Sequence, residues 1–456
     1  MPRTPPPPSP QLGAYFLSLT VENLRCFREA QTLPLDDGHG RPARWTILLG
    51  ENGTGKSTLL QCLAAMRPDP EHLRPPRSTE GHINPMGHPS LEDCANVGAD
   101  DPSQGSLLTA RLAFTPGLGQ APRHDFERVL DIPPSSAQRY VPVGATLTFD
   151  LGGDDLASCV VGYGPYRRPG NASLSGELPD SVAGLFSLDV PLLNAEEWYL
   201  QRDYQAANPR LTEADRNRAR EVRDRIEALL IALLPGVTGL LPVVTDPTNG
   251  TTRLHAKTED GTVPIASLGL GYQSTMAWVV DLAARMLAAW PYSDNPLHAP
   301  AVVLIDEIDL HLHPRWQRTL LHELTARFPN VQFVATAHSP LIVQAAPDAN
   351  IVLLRRKEGR LTIERAPEAV RSWRVEQLLT SDLFDLPTTR PATADKLVAR
   401  RDALLAKAKL TAQDKKELAT LRATLAQTSA GESPLEMEAM ELIRRAAAEF
   451  KTASGS

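Results

Sequence analysis

Between the apolar run Trp45 to Leu49 and the helical pattern Thr58 to Met66, the chain reads Gly50-Glu51-Asn52-Gly53-Thr54-Gly55-Lys56-Ser57. Few eight-residue stretches constrain a fold as tightly. Small residues let successive backbone N–H groups turn into one concavity, and a helix starting directly behind them adds partial positive charge. The octapeptide fits G-x-x-x-x-G-K-[ST] in full and sits where that pattern works, between a buried strand and a helix start. It predicts a phosphate-binding loop in which Lys56 reaches the β and γ oxygens, Ser57 ligates Mg²⁺ and Thr58 completes the first turn.

Two further apolar runs read as strands, Ala301 to Ile305 and Val331 to Ala335, with the helical stretch Pro314 to Phe328 between them. Strands alternating with helices predict a parallel α/β sheet. Asp306 and Glu307 then fall at the carboxyl edge of the first run, the side on which open α/β sheets bind ligands. Asp306 is expected to hold Mg²⁺, and Glu307 to orient or deprotonate an attacking water. The second run leads into Thr336-Ala337-His338, and His338 at the same edge is expected to hydrogen-bond the γ-phosphate. His311 and His313 lack a matching Cys/His pair, which argues against zinc.

The remaining composition narrows the class. Lys+Arg number 47 against 54 Asp+Glu, a net charge of −7, so contact with nucleic acid requires a local basic patch. Cys26, Cys62, Cys94 and Cys159 have neither zinc nor disulfide spacing. That pattern predicts a reducing cytoplasm. The opening MPRTPPPPSP carries six prolines in ten residues and reads as an extended tail. No apolar run is long enough to span a bilayer, so no membrane association is expected.

These motifs in this order resemble ABC-type ATPase heads of the RecF, SMC and Rad50 kind. The stretch Leu19 to Phe27 (LTVENLRCF) is similar to the opening strand of RecF-like proteins, and VLIDEIDLHLHPRWQ (Val303 to Gln317) and QFVATAHSP (Gln332 to Pro340) extend the likeness. The resemblance is greatest to the ATPase subunits of Septu and retron-associated Septu-like anti-phage systems. It implies a P-loop NTPase head of α/β class with an inserted lobe and a C-terminal helical segment. Two copies would sandwich ATP between the loop of one and a signature motif of the other. That motif maps onto Leu268-Gly269-Leu270-Gly271, where Gly269 stands for the usual serine and Ser267 lies two positions earlier. Ser267, Gly269, Gly271 and Asp309 are accordingly expected to contact nucleotide, and Gln104 is a candidate for the Q-loop glutamine.

The domain plan that follows is a Pro-rich tail over 1–12, the first part of the head over 13–66, an inserted lobe over 67–260, the second part of the head over 261–366 and a helical region over 367–456. The lobe includes a helix capped by Thr212. No histidine or cysteine follows His338. No HNH nuclease is expected in the C-terminal part, and the family implies one as a separate partner subunit. Arg167 and Arg168 are candidates for approaching DNA, and the Lys/Arg-rich stretch Lys396 to Arg422 could meet phosphate, a partner or a sister subunit. A sensor and regulator of an anti-phage complex is the first functional reading. A RecF-like DNA repair ATPase acting at ends or gaps is the alternative.

Overall fold

The computed structural model describes residues 12–68, 105–132 except 116, 119, 121 and 123, then 156–157, 159–170, 179–246, 251–384, 386–407 and 410–427. These fall into two compact units that divide between Val375 and Glu376. The proline-rich tail, Gln104, the strand expected around Leu147 to Leu151 and the last helix expected from Pro434 lie outside the described residues.

The larger unit is organised by a parallel sheet. Five of its strands are β3 (Trp45–Gly50), β7 (Val160–Tyr163), β11 (Ala301–Ile305), β12 (Val331–Thr336) and β13 (Asn350–Lys357), and β14 (Arg360–Arg365) closes one side. The spatial order is β14-β13-β3-β12-β11-β7, parallel except for the last hairpin β13–β14. The runs Trp45 to Leu49, Ala301 to Ile305 and Val331 to Thr336 are buried throughout, as strands covered on both faces must be.

A second, mostly antiparallel sheet joins β1 (Leu12–Glu22), β2 (Gln31–Pro34), β4 (Ser106–Thr115) and β5 (His124–Ile132) in the order β2-β1-β4-β5, with β6 (Leu156–Ala157) parallel to β1. The helix α1 (Lys56–Ala65) shares one core with both sheets, where Leu59, Leu60 and Leu63 meet Phe16, Leu112 and Phe114 from one side and Leu48, Val334 and Val352 from the other. The three leucines are fully buried, each worth about 1.5–3 kcal/mol. Gln332 stitches the sheets together at a bulge in β1: its Oε1 accepts from Phe16 N–H at 2.8 Å, and its Nε2 donates to Phe16 O at 2.8 Å.

Described residues of the segment 67–260, expected as an inserted lobe, contribute to both sheets. Strands β4 and β5 complete the sheet begun by β1, and β7 forms the edge of the parallel sheet beside β11. An exposed edge of β1 would leave a row of unpaired backbone groups, and the hairpin β4–β5 covers it. The elements that join neither sheet are α2 (Ala195–Ala207), α3 (Glu213–Leu233) and the meander β8 (Val237–Asp246), β9 (Thr251–Thr258) and β10 (Gly261–Pro264). Thr212 caps α3 as expected, its hydroxyl accepting from Asp215 N–H at 3.1 Å. Two more helices, α4 (Leu270–Ala289) and α5 (Pro314–Arg327), flank β11 in sequence.

The smaller unit contains a helical hairpin, Ala392–Leu405 and Ala412–Gln427, closed over Leu404, Leu418 and Leu421. Its basic residues are partly engaged: Arg400 pairs with Glu417 and Lys407 with Asp414, both at 2.7 Å. Among the described residues no helix is long and apolar enough to cross a membrane.

Candidate functional site

Parallel strands point their carboxyl ends the same way, so β3, β12, β11 and β7 deliver the segments that follow them to one edge of the sheet. There a cavity of about 310 Å³ is lined by Asn52, Gly53, Gly55, Lys56, Ser57 and Thr58 from the glycine-rich loop, Asp306 and Glu307 after β11, His338 after β12, and Arg25 and Cys26 after β1. Segments up to 313 positions apart (Arg25 to His338) thus meet around a single space.

The loop is shaped for close approach. Gly55 has φ 86°, and a Cβ there would lie 2.7 Å from Cys26 Sγ, so any side chain is strained by backbone and neighbour alike. Gly55 also precedes α1 with no side-chain cap, leaving the N–H groups of the first turn for an anion. Lys56 Nζ donates to the carbonyls of Gly50 at 2.7 Å and Glu51 at 2.8 Å. Burial pulls its ammonium below the usual range, while Asp306, Glu307, Asp309 and Glu51 pull the other way.

On the opposite wall, Asp306 is buried and fixed at both oxygens. Ser57 Oγ donates to its Oδ2 at 2.7 Å, and Thr336 Oγ1 donates to its Oδ1 at 2.6 Å. Thr336 Oγ1 in turn accepts from Glu307 N–H at 2.7 Å. Glu307 is half-buried and adopts φ 51°, a left-handed conformation that a glutamate holds only when its surroundings impose it. A hydroxyl and a carboxylate side by side are hard oxygen donors, the chemistry Mg²⁺ requires, and they line the same cavity as Lys56.

Several residues expected to contact nucleotide do not line this cavity, among them Ser267, Gly269 and Gly271, whose expected contact is with the nucleotide of a second copy. Asp309 does not line the cavity; its Oδ2 accepts the backbone N–H of His338 at 3.0 Å, which sets the turn carrying the imidazole. Ser267 and Gly269 are exposed at the start of α4. Gly50, Glu51 and Thr54 shape the loop from behind, Thr54 Oγ1 donating to Glu51 O at 2.8 Å. His313 caps α5, its Nδ1 accepting from Arg315 N–H at 3.3 Å.

The DNA-facing assignment of Arg167 is overturned by its burial. The side chain is 5% exposed and turned inward, with burial bringing its guanidinium down to about 10 against the opposing pull of Asp306, Glu307 and Asp309. Only Arg168 points outward, over the ring of Tyr166. Sequence reading also missed Arg25, whose Nη1 donates to Thr58 Oγ1 at 3.1 Å and Gln61 Oε1 at 3.0 Å. The LRCF stretch carried the signal for a cation beside the loop. Nothing local marked Thr336 as the bridge between two acids.

Two family models match, one over residues 187–344, described as an AAA domain with a description that also names the AbiEii toxin of a Type IV TA system, and one over residues 18–66, described as an AAA domain. A Septu protein PtuA of Bacillus mycoides (strain KBAB4) is 27% identical over 76% of this chain and 42% of its own length. A retron Vc95 probable ATPase of Vibrio cholerae is 39% identical over 22% of this chain and 20% of its own length. A retron Ec83 probable ATPase of Escherichia coli is 32% identical over 34% of this chain and 27% of its own length. The chain thus spans less than half the length of the curated relatives it matches. Among solved structures, an Smc head bound to the C-terminal winged-helix domain of ScpA superposes with a TM-score of 0.43 at 14% identity, over 77% of this chain and 97% of that one. In its glycine-rich loop and its acidic strand edge the chain is thus similar to AAA-domain proteins and to ATPases of Septu and retron systems.

Proposed function

We propose that this chain binds ATP with Mg²⁺ and hydrolyses it, and that two copies close on the nucleotide, the cavity of one facing the Ser267–Gly271 segment of the other, in which Ser267, Gly269 and Leu270 are exposed. The observation that supports this best is the convergence of Lys56, Ser57, Asp306, Glu307 and His338 on one cavity. The loop N–H groups and Lys56 bind the phosphates, and Ser57 with Asp306 holds the metal. Bound Mg²⁺ supplies charge neutralisation on the phosphate oxygens. Glu307 takes the proton from the attacking water, and His338 hydrogen-bonds the terminal phosphate. Phosphoryl transfer requires little more than such positioning and charge.

The relatives named Septu protein and retron ATPase favour a defence setting. In that setting the nucleotide state of the head restrains or releases a separate nuclease, of HNH type by family analogy. The test is Mg²⁺-dependent phosphate release by the purified chain, followed by affinity recovery from native cells with mass spectrometry of what accompanies it. A co-purifying nuclease supports the regulatory role. Turnover stimulated by gapped DNA with no nuclease recovered would replace it with the RecF-like repair role.

A further inference from the structure

Arg167 follows the edge strand β7 by four residues and turns back beneath the acidic turn. Its Nη1 donates to the carbonyls of Gly164, at 3.2 Å, and of Asp306, and its Nη2 donates to the carbonyl of Glu307 at 2.8 Å. Among the described residues the Nε has no hydrogen-bond partner. A buried guanidinium is costly, and such groups usually face a carboxylate side chain in a two-bonded fork. Here the fork spans two consecutive main-chain oxygens, those of the very residues assigned to metal and water.

The consequence concerns Glu307. Its left-handed φ of 51° is unfavourable for a residue with a Cβ. The peptide on its amino side is held by the Thr336 hydroxyl at 2.7 Å, and the carbonyl on its carboxyl side by Arg167 at 2.8 Å. Clamped on both sides, the backbone has one way to present its side chain, which is toward the cavity. Releasing either clamp lets the peptide relax to the right-handed basin and swings the carboxylate away.

We propose that Arg167 is a positioning residue for hydrolysis, fixing the main chain of Asp306 and Glu307 so that the Glu307 carboxylate is aligned with the attacking water. This rests on the reading of Glu307 as the base. Arg167 does not line the cavity, so its loss affects turnover and leaves nucleotide capture nearly intact.

The test compares wild type, Arg167→Lys, Arg167→Ala, Glu307→Gln and the double variants in the full chain, reading kcat, KM and the Kd of a fluorescent ATP analogue. Arg167→Ala is expected to lower kcat by about 10²-fold, the scale of a misplaced reacting group. Arg167→Lys, which keeps the charge and loses the fork, should lose about 10-fold. Kd should stay within about threefold of wild type for both, because the contacts to phosphate are untouched. In the Glu307→Gln background neither change should lower kcat further, since the clamp acts through that carboxylate. A purely architectural arginine would give additive losses and weaken binding together with turnover; either result overturns the proposal. If Arg167→Ala does not fold, Arg167→Lys decides: unchanged kcat overturns the clamp, and a kcat loss confined to the Glu307-containing background supports it. An inactive wild type, or Glu307→Gln at wild-type speed, defeats the reading of Glu307 and the clamp with it. An active wild type with an indifferent Arg167→Lys defeats the clamp alone.

Discussion

Ser57 Oγ donates to Asp306 Oδ2 at 2.7 Å, joining the loop after one parallel strand to the acid after another across 249 positions of sequence. A hydrogen bond to a carboxylate is typically worth about 1.5–3 kcal/mol, and here both partners are also the proposed metal ligands. Asp306→Asn should therefore abolish the Mg²⁺ dependence of nucleotide affinity, weakening it roughly 10- to 100-fold at saturating metal. Titration of Mg²⁺ against a fluorescent ATP analogue reads this directly, and an unchanged metal profile would remove Asp306 from the site.

Glu307→Gln keeps shape and hydrogen-bonding capacity but cannot accept the proton. Its turnover should fall by about 10²- to 10⁴-fold with ATP still bound. The variant should also accumulate as a nucleotide-dependent dimer in size-exclusion chromatography with light scattering. A monomer at saturating ATP would count against closure of two copies.

The exposed turn before α4 offers a gain-of-function test. A Cβ added at Gly269 meets nothing within 4 Å, and its φ of −59° suits any residue. Gly269→Ser should fold normally, cap α4 for a few tenths of a kcal/mol, and raise kcat if the serine hydroxyl completes the opposing site. Gly271→Ala should do the reverse. Its Cβ would sit 2.5 Å from the carbonyl oxygen of His311, costing about 1–3 kcal/mol of stability that calorimetry can register.

Asp281, buried on α4, accepts from Tyr163 OH at 2.9 Å and Arg285 Nε at 2.8 Å, and its Oδ1 takes the N–H of Leu193 at 3.2 Å. Burial first, and then the neighbouring Asp281 charge, push the Tyr163 phenol well above its usual range. Tyr163→Phe should cost about 1.5–3 kcal/mol, visible as a lowered Tm. Since Tyr163 O also accepts Asp306 N–H at 2.8 Å, its β7 backbone should hold the acid in place and ATP affinity should change little.

In the helical hairpin, Thr411 and Asp414 cap each other: Thr411 Oγ1 accepts from Asp414 N–H at 3.1 Å, and Asp414 Oδ2 accepts from Thr411 N–H at 2.9 Å. Lys407 first, then the Thr411 N–H and hydroxyl, bring the Asp414 carboxyl down to about 2. A depressed carboxylate stabilises fully above its unfolded value, roughly 4, and loses that contribution as pH falls toward 2. The Tm advantage of wild type over Asp414→Asn should thus be present at pH 5 and shrink at pH 2.5. An advantage that persists undiminished in acid would assign the effect to something other than this charge.

The strands and helices nearest the chemistry were legible because local pattern and burial agree there. Ala301–Ile305 is buried along its whole length and has the bounds its apolar run implies, and α1 begins two residues earlier than the apolar period suggested because Lys56 and Ser57 already belong to its first turn. Strand β4 was harder to see, since Thr109, Ala110 and Arg111 dilute the alternation that burial later reveals. The acidic edge and His338 could be read from what precedes them in sequence. Arg167 could not, because its partners lie 139 and 140 positions away and accept through main-chain atoms that carry no residue-specific signal. Two adjacent arginines in a proline- and glycine-rich turn look alike on paper, and only the course of the backbone sends one inward and the other out.

Gln332 has a consequence beyond cohesion. It grips Phe16 through both backbone atoms and reaches the carbonyls of Leu35 and Ala43 at 3.4 Å, while four and six residues farther along the same segment stand Thr336 and His338. A short, fully hydrogen-bonded rod links a grip at one end to the reacting groups at the other. The placement of Thr336 and His338 is therefore anchored to the neighbouring sheet through a single amide side chain, whose loss would leave that strand held by its ladder partners alone.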